Sequence, residues 1–284
     1  MAERVTVPSV RAAKGVSRIK MITAYDAPSA RIADEAGADV ILVGDSVANV
    51  VLGLRSTLEV TLDDMIRHAG AVASTQPRAL VVGDMPWLSF HVSPAETVRN
   101  AGRFVQEGGV EAVKIEGGAK RVPVIEAVLA AEIPVMGHLG LTPQSVHTMG
   151  GYRVQGRQVE TAKGLIEDAL AIEAAGVFCI VLEGVPGMVA DLITRRVSVP
   201  TVGIGAGIKT DGQVLVFHDV LGLSGDDLPR FVRTYASLHD DAVKALKAFF
   251  GDIENGSFPS PEETYEMPAD AGRALLEEMG SSGV

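Results

Sequence analysis

Four apolar runs of strand length in this chain end in an acidic residue beside glycine: VILVGDS (Val40–Ser46), ALVVGDM (Ala79–Met85), AVKIEGG (Ala112–Gly118) and CIVLEG (Cys179–Gly184). Such runs read as parallel strands buried on both faces, and in α/β folds ligands gather at the carboxyl ends of those strands. Asp45, Asp84, Glu116 and Glu183 are therefore expected on one rim. The strands that end at Asp45 and Asp84 should be neighbours, about 4.8 Å apart, so the two carboxylates could share one ion. Either aspartate alone could simply cap its loop. With Glu116 ending the next strand, however, an acidic trio on consecutive strands would repel itself without a cation. An all-oxygen donor set with no clustered Cys or His points to Mg²⁺ rather than zinc.

Lys114 lies two residues before Glu116, so the two side chains share one face of the strand, which in a barrel is the interior. An ammonium there would hold a substrate carboxylate or enolate; its plainer use is a structural ion pair with a rim acid. Glu183 closes a strand away from the trio and suits a general base better than another ligand of the same metal, with a loop cap or salt bridge as the alternative. His138, near the end of PVMGHLG (Pro134–Gly140), takes a supporting role. GIGAG (Gly203–Gly207) lacks the Lys and Ser/Thr pair that completes a phosphate loop and reads more readily as turn glycine.

The elements that must carry these residues alternate along the chain. IKMITAY (Ile19–Tyr25) reads as a first strand, Asp26 and Pro28 open a helix, and Thr61 and Ser93 stand where helix N-caps belong. A loop over 142–157 exceeds ordinary connector length and invites a function. VLGL (Val220–Leu223) supplies an eighth strand and Phe231–Phe250 a closing helix. Eight strands alternating with helices at intervals of roughly 30 residues match a (β/α)8 TIM barrel, with a doubly wound open sheet as the alternative. The expected organisation is an N-terminal arm over 1–17, a catalytic barrel over 18–254 and a C-terminal tail over 255–284.

With 25 Lys and Arg against 36 Asp and Glu, the chain carries a net charge of −11 and has no basic block, which argues against nucleic acid or an anionic membrane as partner. A small anionic substrate would then need local positive charge. The single cysteine, Cys179, lies within an apolar strand, so no intrachain disulfide is possible. No apolar stretch has the length of a signal sequence or a membrane span, and a soluble cytoplasmic protein is expected.

The motifs ITAYDA, VGDS, GDMP, VKIEGG, GHLGLTPQ, GGYRVQGR, LEGVP and GIGAG, in this order over about Lys14–Glu262, closely resemble the ketopantoate hydroxymethyltransferase family. The resemblance implies a (β/α)8 barrel that uses Mg²⁺ and moves a hydroxymethyl group from 5,10-methylenetetrahydrofolate to 3-methyl-2-oxobutanoate through a Mg-stabilised enolate. It places the metal acids at Asp45, Asp84 and Glu116, the ketoacid contacts at Asp45, Ser46, Asp84 and Lys114, and the proton acceptor at Glu183. It also implies a homo-oligomer, a homodecamer in the family pattern. The chain departs from the pattern after Ser46, where Ala48 and Asn49 replace a frequent Gly-Met, and in the extra tail. Two other readings stand beside it: an Mg²⁺-enolate barrel of the phosphoenolpyruvate mutase and isocitrate lyase type, and a non-catalytic ligand-binding barrel. The lyases use a loop cysteine, whereas Cys179 is within a strand; an inactive barrel need not keep four acids together with Lys114.

Overall fold

Eight parallel strands close into a barrel in the computed structural model, which describes residues 3–225 and 228–280. The strands are β1 (Ile19–Thr23), β2 (Val40–Val43), β3 (Leu80–Asp84), β4 (Ala112–Glu116), β5 (Val135–Gly140), β6 (Cys179–Glu183), β7 (Thr201–Ile204) and β8 (Gly212–Leu215). Each pairs with its sequence neighbours, and β8 closes on β1 through Ile19↔Gly212 to Ile22↔Leu215. The (β/α)8 expectation holds and the open sheet is excluded.

Alternation along the strands sorts the side chains. Val40, Leu42, Leu80, Val82, Ala112, Met136, Cys179, Val181, Val202 and Val214 belong to one buried apolar cluster. The residues between them, such as Ile41, Val81, Val113, Val135 and Ile180, belong to a second cluster that packs with the helices. Strand side chains point alternately to opposite faces, so the first set fills the barrel and the second its outer layer. Asp84, Lys114, Glu116, His138 and Glu183 share the parity of the first set, two or four residues further along their strands. The interior is thus apolar below and charged at its C-terminal end.

Helices start where the sequence puts caps. Asp26, Thr61 and Ser93 accept the N–H of Ser29, Asp64 and Glu96, ahead of helices Ala27–Glu35, Leu62–Ala73 and Pro94–Gln106. Gly83 in β3 shows how tightly the outer layer is built: a Cβ there would lie 2.6 Å from the Phe104 ring.

Two expectations are corrected, and two features are added to the expected organisation. The eighth strand is GQVL (Gly212–Leu215), whereas 220–223 continues from the short helix Phe217–Val220 into a turn. The helix expected over Phe231–Phe250 is Leu238–Asn255. The chain divides into compact units at 236 and 237, so this helix stands in the second unit with helix Ala269–Gly280, and the barrel unit ends before 254. Finally, the N-terminal arm contains a helix, Val7–Ala12, capped by Thr6 and Ser9, whose Val10 is buried in the cluster that fills the barrel. Lys14 then ties the arm to the barrel, pairing with Asp211 Oδ2 at 2.9 Å. No helix among the described residues is long and apolar enough to cross a membrane.

Candidate active site

Strand register brings the charged residues side by side. Asp84 pairs with Lys114, Glu116 with His138, and Gly140 with Glu183. Lys114 Nζ lies 2.8 Å from Asp84 Oδ1 and 3.8 Å from Glu116 Oε1. His138 Nδ1 lies 3.1 Å from Glu116 Oε1, and its Nε2 lies 3.2 Å from Glu183 Oε2. Lys114 Nζ also lies 3.2 Å from His138 Nδ1, so the charged groups of four adjacent strands, from Asp84 to Glu183, form one connected cluster. Asp45, one residue beyond the glycine that follows β2, joins through its backbone, whose N–H donates to Asp84 Oδ2 at 3.0 Å. Asp45, Asp84, Lys114, Glu116 and His138 are all buried, while the Glu183 side chain is 16% exposed. Glu183 is the most exposed carboxylate of this group.

The charges do not cancel. Burial, then repulsion from Asp84 and Glu116, pushes the Asp45 carboxyl well above its usual range. Burial also raises Asp84, against the pull of Lys114. Burial would raise Glu116 too, but His138 and Lys114 outweigh it and hold the carboxyl low. Burial and the Lys114 ammonium press His138 down, yet Glu116 and Glu183 bring it up to about 9, so the imidazole is cationic near neutral pH. Negative charge is left at Asp45 and Asp84, and a cation or proton placed there is favoured.

Those two acids fit a hard divalent ion. Glu116 is otherwise engaged: Oε1 meets His138 and Lys114, and Oε2 accepts the Gln144 N–H at 3.2 Å. Among the described residues no set of three or more His, Cys, Asp and Glu converges on a common point, so the expected trio does not close on an ion by itself. Mg²⁺ is commonly held by one or two carboxylates, with water and substrate oxygens at the remaining positions. Asp45 and Asp84 could supply such carboxylates, although Asp84 also holds Lys114 on Oδ1 and the Asp45 N–H on Oδ2.

Two residues at the site carry no periodic signal in the sequence. Gln144, buried in the loop after β5, donates from Nε2 to Asp45 Oδ2 and to Met85 O, each at 3.0 Å. It thereby ties Asp45 and Glu116 to one residue. Tyr25, just beyond β1, has its hydroxyl 2.8 Å from Ser46 Oγ. Ser46 stands at the N-cap of helix Val47–Val50 without making a side-chain cap bond, so its hydroxyl is turned to Tyr25 instead. Both residues lie inside motifs quoted above, ITAYDA and GHLGLTPQ, but without a role. In the same short helix the departing residue Ala48 is buried, and Asn49 Nδ2 donates to Leu54 O at 3.0 Å.

Above the charged floor is a cavity of about 800 Å³ whose walls include Ser46, Asp45, Asp84, Lys114, Glu116 and Glu183. Every residue proposed from the sequence, His138 included, borders it. Cys179 does not; it lies inside the barrel, where burial pushes its thiol up to about 12.

A model of the family ketopantoate hydroxymethyltransferase matches residues 4–261. The chain belongs to this family. It is 54% identical over 265 residues to the 3-methyl-2-oxobutanoate hydroxymethyltransferase of Syntrophomonas wolfei, covering 93% of this chain and 96% of that one. Against the enzyme of the same name from Oleidesulfovibrio alaskensis it is 49% identical over 278 residues, covering 98% and 96%. Among solved structures, phosphonopyruvate hydrolase matches with a TM-score of 0.60 at 13% identity, over 99% of this chain and 96% of that one. A 2,3-dimethylmalate lyase of the PEP mutase/isocitrate lyase superfamily matches at 0.57 and 18%, over 96% and 98%. At those identities the likeness is one of fold, and the family assignment rests on the closer sequences.

Proposed function

We propose that this protein catalyses the reaction of 3-methyl-2-oxobutanoate, 5,10-methylenetetrahydrofolate and water to give 2-dehydropantoate and tetrahydrofolate, a step of pantothenate biosynthesis. The observation that carries the reading is one cavity bordered by Lys114, by the buried acids Asp45 and Asp84, and by Glu183, whose side chain is more exposed than theirs. The new carbon–carbon bond forms at C3 of the ketoacid, whose proton is only weakly acidic, so a base and charge stabilisation are both needed. Glu183 takes that proton. Lys114 and the Ser46 hydroxyl hold the oxygen-rich end of the ketoacid, and Tyr25 keeps the hydroxyl in place. His138 contacts Glu183 and Glu116 together, so it orients the base. A Mg²⁺ held by Asp45 and Asp84 would act as Lewis acid on the ketoacid's carboxylate and 2-keto oxygen, worth several kcal/mol in developing enolate charge. The methylene carbon leaves both folate nitrogens: the C3 electron pair replaces one C–N bond and the hydroxyl of water replaces the other, while each nitrogen keeps its bonding electrons and takes up a proton, one from C3 by way of Glu183 and one from water.

The reading includes a homo-oligomer in the cytoplasm; an active monomer in light scattering would remove the assembly from it. A lyase of the isocitrate lyase type would need a reactive loop cysteine, and Cys179 is sealed within the barrel.

NMR of 3-methyl-2-oxobutanoate with enzyme, Mg²⁺ and the folate should show 2-dehydropantoate; no conversion would end the proposal. Glu183→Gln keeps size but not proton acceptance, so it should still bind the ketoacid. In D₂O without folate its exchange of the C3 proton should lag the wild type by at least about 10²-fold. Undiminished exchange would move the base elsewhere.

A further inference from the structure

The floor of the cavity is acidic, but its mouth is not. Arg55 from the loop after β2, Arg153 from the loop after β5 and Arg230 from the segment after β8 all line it. All three are exposed, and none forms an ion pair with an acid among the described residues. In a chain with 36 acidic and 25 basic residues, three arginines from three separate loops thus meet at one opening. Each of two has an aromatic neighbour that lines the same cavity: Tyr152 beside Arg153, and Phe231 beside Arg230. The Phe231 ring is seated against Gly205, where φ is +60° and a Cβ would lie 2.7 Å from the ring. The glycine-rich turn after β7 therefore makes room for this aromatic face.

A five-carbon ketoacid held by Lys114 leaves most of an 800 Å³ cavity unused, since volumes of about 300–1,000 Å³ accommodate ligands of drug size. What the outer part offers is aromatic faces with guanidinium groups beyond them. That pairing suits a flat conjugated body ending in carboxylates, because guanidinium binds carboxylate in a two-pronged geometry and stacks on planar groups. Resting on the proposed reaction, we infer that Arg55, Arg153 and Arg230 form a cationic collar that binds the glutamyl carboxylates of the folate co-substrate, with Tyr152 and Phe231 against its ring system.

Three one-carbon carriers separate the possibilities: methylenetetrahydropteroate, which has no glutamate, and the mono- and triglutamyl methylenetetrahydrofolates. Wild type should show a KM that falls along this series. Changing all three arginines to serine should raise the KM of the triglutamyl carrier about tenfold, as expected when several exposed charge contacts are lost together. It should flatten the series while leaving the KM of the ketoacid in place, and melting curves would confirm that the variant folds. A flat series in wild type, or an unchanged carrier KM in the variant, overturns the collar while leaving the transferase reading intact. A rise in ketoacid KM alone also overturns it and assigns the arginines to the smaller anion. Failure of wild type to turn over the ketoacid with any carrier would instead bring down the transferase reading, and the collar with it.

Discussion

Gln144 contributes no charge to the site, yet its amide spans Asp45 and Met85 O while its backbone N–H reaches Glu116. It is a positioning residue for the acids proposed to hold Mg²⁺. Groups that orient metal ligands commonly change affinity by about 10–100-fold when removed. Gln144→Leu should weaken Mg²⁺ binding in the ketoacid complex by that factor, read by calorimetry, with little change in ketoacid binding measured without metal. Equal Mg²⁺ affinity in variant and wild type would leave Gln144 a packing role only. The contrast with Lys114 shows what a sequence can reveal at this scale. Lys114, Glu116, Asp84 and Glu183 were legible because strand parity and repeated acid–glycine endings are patterns. A loop amide or a tyrosine hydroxyl reaches its partner through a turn whose path no periodicity records.

β8 is GQVL, with only two apolar residues, Val214 and Leu215, and an exposed Gln213, so it does not read as an apolar run. Its first residue is glycine because a Cβ there would lie 2.5 Å from Ile19 O, a constraint set by the partner strand and invisible locally. VLGL, more apolar, drew the assignment away from it. Just before β8, Asp211 receives Lys14 Nζ at 2.9 Å and the N–H groups of Gly15 and Thr201 at 3.1 and 2.9 Å, joining the N-terminal arm to β7 and β8. Burial alone would raise this carboxyl, but Thr201, Lys14 and Gly15 hold it below the usual range. A carboxyl depressed in the fold stabilises above its unfolded value, and that contribution is lost as pH falls through the folded value. Asp211→Asn should therefore cost about 1–3 kcal/mol near neutral pH. In thermal melts the gap from wild type should persist down to about pH 4 and narrow below it. A gap independent of pH would mean that the charge contributes nothing.

At the scale of the molecule, length and alternation were enough for the barrel, but the division at 236 and 237 was not legible, because no glycine- or proline-rich linker marks it. The helix of the arm was not legible either: one buried valine, Val10, makes it part of the barrel's filling. That filling has a consequence for traffic. Among the described residues the lower barrel is packed by Val10, Ile19, Met21, Val40, Leu80 and their neighbours, and the exposed residues that line the cavity belong to its upper loops. For the proposed reaction, a deep site entered from one end would impose a sequence on its visitors: the small ketoacid would go in first, the bulky carrier would follow, and spent carrier would have to depart before product could leave. Steady-state kinetics should show compulsory order, with 2-dehydropantoate competing only against the ketoacid and excess carrier slowing turnover by shutting the ketoacid out. If tetrahydrofolate and 2-dehydropantoate each competed with their own substrate alone, as in random binding, the barrel would have to possess a second door.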